Sequence, residues 1–228
     1  MSSPLPRGEQ KARVVRELFD SISPRYDLVN RVMTFGMDIG WRRRTVRELH
    51  LPAGSRVFDL GCGTGDLCRE IERAGHLAYG FDFSFGMLAN ARTGAPVVQA
   101  DILRLPIADA TADGVTCGFA LRNVVSLPEL FAEAARVVRP GGAVGLLETS
   151  RPDNRALRLG HRLYFEKVVP VIGGLLSDRD AYAYLPRSMA YLPPPEELLV
   201  MVQSAGFPTA RRIQLSGGVA QLLVGVRG

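Results

Sequence analysis

The chain begins with helical periodicity. Between Lys11 and Phe19 the apolar positions Val14, Val15, Leu18 and Phe19 recur at helical spacing, the stripe of a half-buried helix. Ser23-Pro24 signals a turn, and Arg25-Tyr26-Asp27-Leu28-Val29-Asn30 resumes a helical pattern. Asp38 is placed to cap a helix carrying Trp41, Val46 and Leu49, and Pro52-Ala53-Gly54 ends this preamble. From Arg56 the pattern changes to short apolar runs alternating with helical stretches. It predicts strands over Arg56–Leu60, Leu77–Phe81, Val97–Ala100, Gly114–Phe119 and Ala143–Glu148. It predicts helices over Asp66–Ala74, from the cap Ser84 through Met87, Leu88 and Ala91, and over Leu127–Val138. Leu103–Asp113 reads as a loop and Arg139-Pro140-Gly141-Gly142 as a turn.

Strands and helices alternating in this way imply a parallel sheet with helices on both faces. The regularity stops after Glu148. Arg151 to Leu176 reads as largely helical, and a tyrosine-rich piece, Ala181-Tyr182-Ala183-Tyr184-Leu185-Pro186, follows. Pro193-Pro194-Pro195 opens a last helix, Glu196–Ala205. Two closing strands, Ala210–Leu215 and Val219–Val226, flank Ser216-Gly217-Gly218, a hairpin turn. The expectation is an α/β fold: a seven-stranded, mostly parallel sheet ending in an antiparallel hairpin. It forms one domain over 1–228, with a loose tail at 1–10, helices over 11–51, a sheet core over 55–150, a helical cap over 151–192, and the last helix and strands over 193–228.

The most informative chemistry lies at Asp59-Leu60-Gly61-Cys62-Gly63-Thr64-Gly65-Asp66. A buried strand here runs through a glycine turn into a helix, the place where open α/β sheets bind nucleotide-like ligands. A dinucleotide fingerprint requires glycine three positions after Gly63, and this chain has Asp66 there. A carboxylate is poorly suited to a pyrophosphate. Asp59 and the G-x-G-x-G run suit a cationic amino-acid group instead, and the segment resembles motif I of class I S-adenosylmethionine (SAM) methyltransferases. A dinucleotide site and a structural turn are the competing readings. Asp82, at the end of the second strand, is placed for ribose hydroxyls or for a helix cap; Met87 can pack on adenine or simply in the core. Asp101 can accept from the adenine amino group, with Ile102 framing the ring, or be an ordinary strand-end acid. Thr64 can reach the carboxylate end of the amino acid.

Composition narrows the classes further. The 228 residues are 46% hydrophobic and 22% charged, with net charge +5, and no apolar run is long enough to cross a bilayer. Met1–Gln10 lacks a leader's apolar core. Cys62, Cys68 and Cys117 form no C-x-x-C pair and have no histidine cluster beside them. No metal is expected, and reduced thiols in a cytoplasm are. No aromatic-interleaved basic patch and no Asn/Asp-Pro-Pro-aromatic run after the fourth strand is present, so nucleic acid is not the expected partner.

Three segments together point to one family. They are Arg25-Tyr26-Asp27-Leu28-Val29-Asn30 with Thr34-Phe35-Gly36 and Trp41-Arg42-Arg43, then Phe119-Ala120-Leu121-Arg122-Asn123-Val124, then Tyr182-Ala183-Tyr184-Leu185-Pro186-Arg187-Ser188. They resemble the ubiquinone/menaquinone biosynthesis C-methyltransferases over roughly Ala12 to Gly225. The resemblance implies the class I methyltransferase fold, SAM as methyl donor, and a polyprenylated quinol or another small aromatic acceptor. It carries cofactor contacts onto Thr64, Asp82, Asp101 and Ile102, beside Asp59, Gly61 and Gly63 of the turn. Gly118, at the end of the fourth strand, is a further cofactor-binding candidate and stands where the family usually has serine. The family's usual Glu-Phe-Ser is Glu148-Thr149-Ser150 with Arg151 inserted, and the closing strand lacks the usual histidine.

Carbon methylation needs a ring made nucleophilic by loss of a hydroxyl proton. Arg122 can favour that phenolate or hold a water acting as base, Asn123 can orient the water, and Tyr26 and Asp27 can complete the network. His161 is a further titratable candidate in the cap. Each has a plainer alternative: a structural pair for Arg122, a helix cap for Tyr26-Asp27, core or surface for His161. The Trp41-Arg42-Arg43-Arg44 run reads as a solvated helical face or as attraction to an anionic membrane, which would place the protein in the cytoplasm, peripheral to the inner membrane face. A homodimer is compatible with this reading. The rival functions are methylation of another aromatic or isoprenoid acceptor, on carbon or oxygen, and SAM binding without turnover.

Overall fold

The computed structural model of the protein describes residues 6–169, 184 and 187–228. Three helices come first: α1 (Gly8–Ile22), α2 (Tyr26–Met33) and α3 (Met37–Glu48). The alternating core follows as β1 (Arg56–Leu60), α4 (Asp66–Arg73), β2 (Leu77–Asp82), α5 (Phe85–Ala89), β3 (Val97–Gln99), β4 (Ala112–Gly118), α6 (Leu127–Val137) and β5 (Val138–Thr149). After α7 (Arg155–Leu163) come α8 (Pro195–Ser204), β6 (Arg211–Leu215) and β7 (Ala220–Val226).

The seven strands form one sheet in the order β3-β2-β1-β4-β5-β7-β6. Strands β1 to β5 pair in parallel, and β7 runs antiparallel to both β5 and β6. The chain steps outward from β1 through β2 to β3, then returns to place β4 on the other side of β1. The loops leaving β1 and β4 therefore diverge, and the crevice between them is where such sheets take ligands.

Alternation along each strand explains both layers of the core. Phe58 and Leu60 of β1 pack with Val115, Cys117, Val144 and Leu146 under Leu130, Phe131 and Ala134 of α6 and Leu198 and Val202 of α8. Val57 points the other way, into a cluster with Val46 and Leu49 from the α3 region and Cys68 and Ile71 of α4. The pleat sends Asp59 to the same side as Val57, and its carboxylate lies against Cys68 of α4.

Three expectations change. β5 begins at Val138, which pairs with Ala112, and pairing resumes at Gly114–Ala143 after a bulge. The predicted turn is thus an irregularity inside a strand. Gly141 adopts φ +76, and its N–H donates to the Arg227 carbonyl, so the backbone stays attached to the sheet. Asp38 does not cap α3: Gly36, at φ +73, precedes the helix, and the Asp38 carboxylate accepts from Thr34, Arg31 and Arg42. The cap helix begins at Arg155, because the Asn154 side chain accepts from the N–H groups of Ala156 and Leu157. A short wider turn, Tyr164–Val168, follows it. Tyr182, Ala183, Leu185 and Pro186 lie outside the described residues, as does the end of the predicted 151–176 helix.

The bulge makes a testable demand. A Cβ at Gly142 would sit 2.6 Å from the Asp113 carbonyl oxygen and 2.7 Å from Val138 Cγ1. Gly142→Ala is expected to cost about 2 kcal/mol in urea unfolding. An unchanged midpoint would show that the bulge is not tightly packed.

Candidate functional site

The glycine turn is built by left-handed backbone. Gly61, Gly63 and Gly65 take φ +70, +55 and +83, and a Cβ at Gly61 would lie 2.8 Å from Ala120 Cβ. The N–H groups of Gly61 and Cys62 both donate to the Phe81 carbonyl, at 2.8 and 3.0 Å. The Gly63 N–H donates to the Asp82 carboxylate at 2.8 Å, and the Ser84 N–H donates to its other oxygen at 2.9 Å. Burial raises the Asp82 pKa, and these N–H groups oppose the rise. Ser84 is itself the cap of α5, accepting from the Met87 N–H, which leaves Asp82 for another role.

A cavity of about 220 Å³ opens above this turn. All eight residues that the sequence assigns to the cofactor line it: Asp59, Gly61, Gly63, Thr64, Asp82, Asp101, Ile102 and Gly118. Asp59 is buried, accepts from Thr116 at 2.8 Å and from the Cys68 thiol at 3.6 Å, and is pushed by burial up to about 7. Asp101 is exposed and accepts from the Leu103 N–H. Met87 fills the floor, and its Cε limits the space over Gly63 to 3.0 Å. Gly118 has no steric need to be glycine, since a Cβ there would meet Leu67 at an ordinary 3.4 Å. The Thr64 hydroxyl donates to Asp27 at 2.5 Å, so its proton ties the turn to α2.

A second cavity, about 380 Å³ and mostly apolar, adjoins the first. Met33, Phe35, Met37, Trp41, Leu157 and Tyr164 form much of its wall. Tyr26, Arg42 and Phe119 line both cavities and make the partition between them. Phe119 holds φ +61, a strained backbone for a bulky residue, and its ring packs on Trp41 and beneath the Arg42 guanidinium.

The catalytic candidates divide between these chambers. Tyr26 borders both, and burial raises its hydroxyl pKa while Arg122 and a hydrogen bond with Asn30 oppose the rise. Asn123 lines the first cavity and donates to the Phe119 carbonyl at 3.4 Å. Arg122 lines the second, but its guanidinium is paired with the fully buried Glu148. Glu148 also accepts the Arg122 backbone N–H at 3.2 Å and the Thr149 N–H at 2.7 Å. Arg122 is therefore a cation held in a rigid frame by its pair with Glu148. Asp27 borders neither cavity and accepts from Thr64. His161 lines only the second cavity, its pKa lowered by burial and by Arg151.

Sequence reading missed Arg42. The Trp41–Arg44 run is a solvated face only at Arg43 and Arg44: Trp41 is buried, and Arg42 is 6% exposed between Asp38 and Asp66. Arg43 pairs with Glu70 at 3.1 Å and Arg44 with Glu48 at 2.6 Å. The i,i+4 spacing of Asp38 and Arg42 was the available signal. The third partner, Asp66, is tertiary. Helix α1 was likewise read only as a helix, yet Ala12, Val15, Arg16 and Phe19 line the first cavity. Lys11 fastens it by donating to the Val124 carbonyl at 2.6 Å, and Asp20 accepts from Ser84 at 2.5 Å.

Residues 7–227 match the model of the ubiE/COQ5 methyltransferase family. The chain belongs to that family. It is 38% identical over 234 residues to the demethylmenaquinone methyltransferase of Roseiflexus castenholzii, covering 98% of this chain and 97% of that one. It is 39% identical over 235 residues to the ubiquinone/menaquinone biosynthesis C-methyltransferase UbiE of Geobacter sulfurreducens, covering 97% and 91%. Its fold matches that of a SAM-dependent methyltransferase of Thermotoga maritima, described as a possible histamine N-methyltransferase, with TM-score 0.68 at 19% identity over 94% of this chain and 100% of that one. The protein is a methyltransferase with the class I fold.

The residues of the first cavity fit SAM. Asp59, Asp82 and Asp101 put carboxylates on the lining, acceptors of the kind that a cationic group, ribose hydroxyls and an amino group call for and that phosphates do not. The raised Asp59 carboxyl is charged only above about pH 7. A cation beside it gains attraction as pH rises through that value and loses it as pH falls. SAM affinity by calorimetry is expected to drop about tenfold from about pH 8 to about pH 6. Asp59→Asn is expected to remove most of that dependence; an equally steep dependence in the variant would contradict the assignment.

Proposed function

We propose that this methyltransferase moves the S-methyl group of SAM to a ring carbon of a prenylated quinol of the demethylmenaquinol kind. The observation that carries the reading is the pair of adjoining chambers. One is lined with carboxylates; the other is larger and apolar; and, among the described residues, Tyr26, Arg42 and Phe119 alone line both. A donor and an aromatic acceptor held on either side of that partition would meet without crossing solvent. Positioning of that sort supplies several kcal/mol of rate enhancement. The names of the relatives support the acceptor class.

SAM supplies an electrophilic methyl on a positively charged sulfur. The protein's part is to bind it and to make the acceptor carbon nucleophilic. Asp82 is assigned to the ribose hydroxyls, Asp101 to the adenine amino group, and Ile102 and Met87 to the faces of the ring. Asp59 is assigned to the cationic end, since Asp66 is already paired with Arg31, Arg42 and Arg69. On the acceptor side, Arg122 lies close enough to Tyr26 and Tyr184 for its charge to lower both hydroxyl pKa values, against larger shifts upward from burial. The same field favours the phenolate of a bound quinol. Tyr184 donates to Asn123 Oδ1 at 3.5 Å, which orients the amide toward the first cavity wall. A water held by Arg122 and Asn123 would take the hydroxyl proton. His161 lies on the acceptor side of the partition and is assigned to the far end of the ring.

The first test is product analysis. Labelled SAM and a short-tailed demethylmenaquinol should yield a ring-methylated quinol. Label appearing only on the oxygen of another phenol would overturn the acceptor assignment. The second test is Arg122→Ala, expected to lower kcat by about 10²- to 10⁴-fold while S-adenosylhomocysteine affinity stays within about twofold. Circular dichroism must confirm the fold, since the change leaves Glu148 unpaired. Weakened cofactor binding with normal turnover at saturation would contradict the role.

A further inference from the structure

We propose that the outward faces of α2 and α7 form a docking surface for an anionic lipid bilayer, continuous with the mouth of the acceptor cavity. The proposal rests on the prenylated-acceptor reading, because it supplies the route by which a tail would leave the cavity without entering water.

Helix α7 carries one exposed apolar stripe. At helical spacing its residues separate into two faces. Ala156, Leu157, Gly160 and His161, with Tyr164 just beyond the helix, line the acceptor cavity, and Leu157 at its mouth is itself 53% exposed. Arg155, Arg158, Leu159, Arg162 and Leu163 share the opposite face, and all five are exposed. Solvent alone would favour polar residues there. Instead two leucines, Leu159 at 52% and Leu163 at 43% exposure, sit among three arginines, and Arg155–Leu163 contains no acid. Apolar and cationic residues mixed on one helical face suit the boundary between lipid headgroups and acyl chains.

Helix α2 repeats the pattern. Leu28 and Val32, one turn apart, point away from the core, and Phe35 follows at the tip of the next turn with 75% of its surface exposed. Phe35 takes φ +51 and Gly36 φ +73, so strained backbone presents this ring outward. The two helices meet there: the Phe35 and Tyr164 ring centroids lie 5.8 Å apart, and the Tyr164 hydroxyl donates to the Met33 carbonyl at 2.8 Å. Met33, Phe35 and Tyr164 also line the acceptor cavity, so the exposed apolar stripes converge on its rim. The arginines of α7 give this surface the charge that anionic headgroups attract. The Trp41–Arg44 run cannot do so, since its three arginines are paired with acids of the chain. Among the described residues no helix is long and apolar enough to cross a membrane, so the contact would be interfacial.

The test is co-sedimentation of the full chain with vesicles of phosphatidylcholine, alone or mixed with phosphatidylglycerol. The wild type should bind the mixed vesicles at least about tenfold more tightly than the neutral ones, and added salt should weaken that preference. The double change Leu159→Asp/Leu163→Asp should lose about tenfold or more of the binding. Leu28→Asp/Val32→Asp should do the same from the other helix. Both variants should bind S-adenosylhomocysteine normally and methylate a tail-less, water-soluble acceptor within about twofold of wild type, while losing activity on a long-tailed quinol embedded in vesicles. Equal binding to both vesicle types, or undiminished binding by both variants, would overturn the docking face. So would a dimer that forms without vesicles and is dissociated by these changes, because the stripes would then belong to a second copy. Vesicle binding that persists while no quinol is methylated would leave the docking face standing and sink the acceptor reading instead.

Discussion

Arg42 is the residue on which the relation between the two chambers depends. Its guanidinium joins Asp38 of its own helix to Asp66, which opens α4 directly after the glycine turn. Arg31 of α2 reaches the same two acids, and Arg69 of α4 pairs with Asp66 from below. A buried charge without a partner is costly, so each member holds the others in place. Asp66 gains further from the positive end of α4. The outcome is mechanical: α2 and α3, which wall the larger apolar cavity, are fixed to the turn that shapes the smaller one. The Thr64–Asp27 bond closes a second link between the same elements.

That coupling lets the chambers differ sharply in character while sharing a wall. Carboxylates crowd the first, and burial drives Asp59 and Asp82 toward their neutral forms. A cationic ligand would offset that burial cost by charge attraction, whereas a phosphate would add to it. The second chamber takes its shape from aromatic and sulfur-bearing side chains on three helices and has its cation, Arg122, fixed in place by Glu148. An apolar ring with one acidic hydroxyl suits that environment better than a charged substrate does.

Much of the fold was legible because its signals are local. β1 was bounded correctly by its apolar run and the glycines after it, and Ser84 was correctly identified as a cap. The residues read from the sequence as cofactor contacts line one cavity for the same reason, since they sit at strand ends and in one turn. What escaped has a tertiary origin. Arg139-Pro140-Gly141-Gly142 has turn composition, but neighbouring strands hold it in the sheet as a bulge. Arg42 looked solvated because Asp66 is distant in sequence, and the partner of Arg122 lies twenty-six residues away at Glu148. No motif announces the acceptor chamber, which is assembled from α2, α3, α7 and the loops beside β4 and β7.

The chain contains a single tryptophan, Trp41, and it lines the acceptor chamber without bordering the cofactor chamber. Its fluorescence therefore reports directly on whether two separate sites exist. With S-adenosylhomocysteine already bound, titration of a short-tailed naphthoquinol should quench Trp41 saturably and leave the bound nucleoside in place. A quinol that displaces the nucleoside, or that leaves Trp41 emission unchanged at saturation, would contradict the two-chamber account.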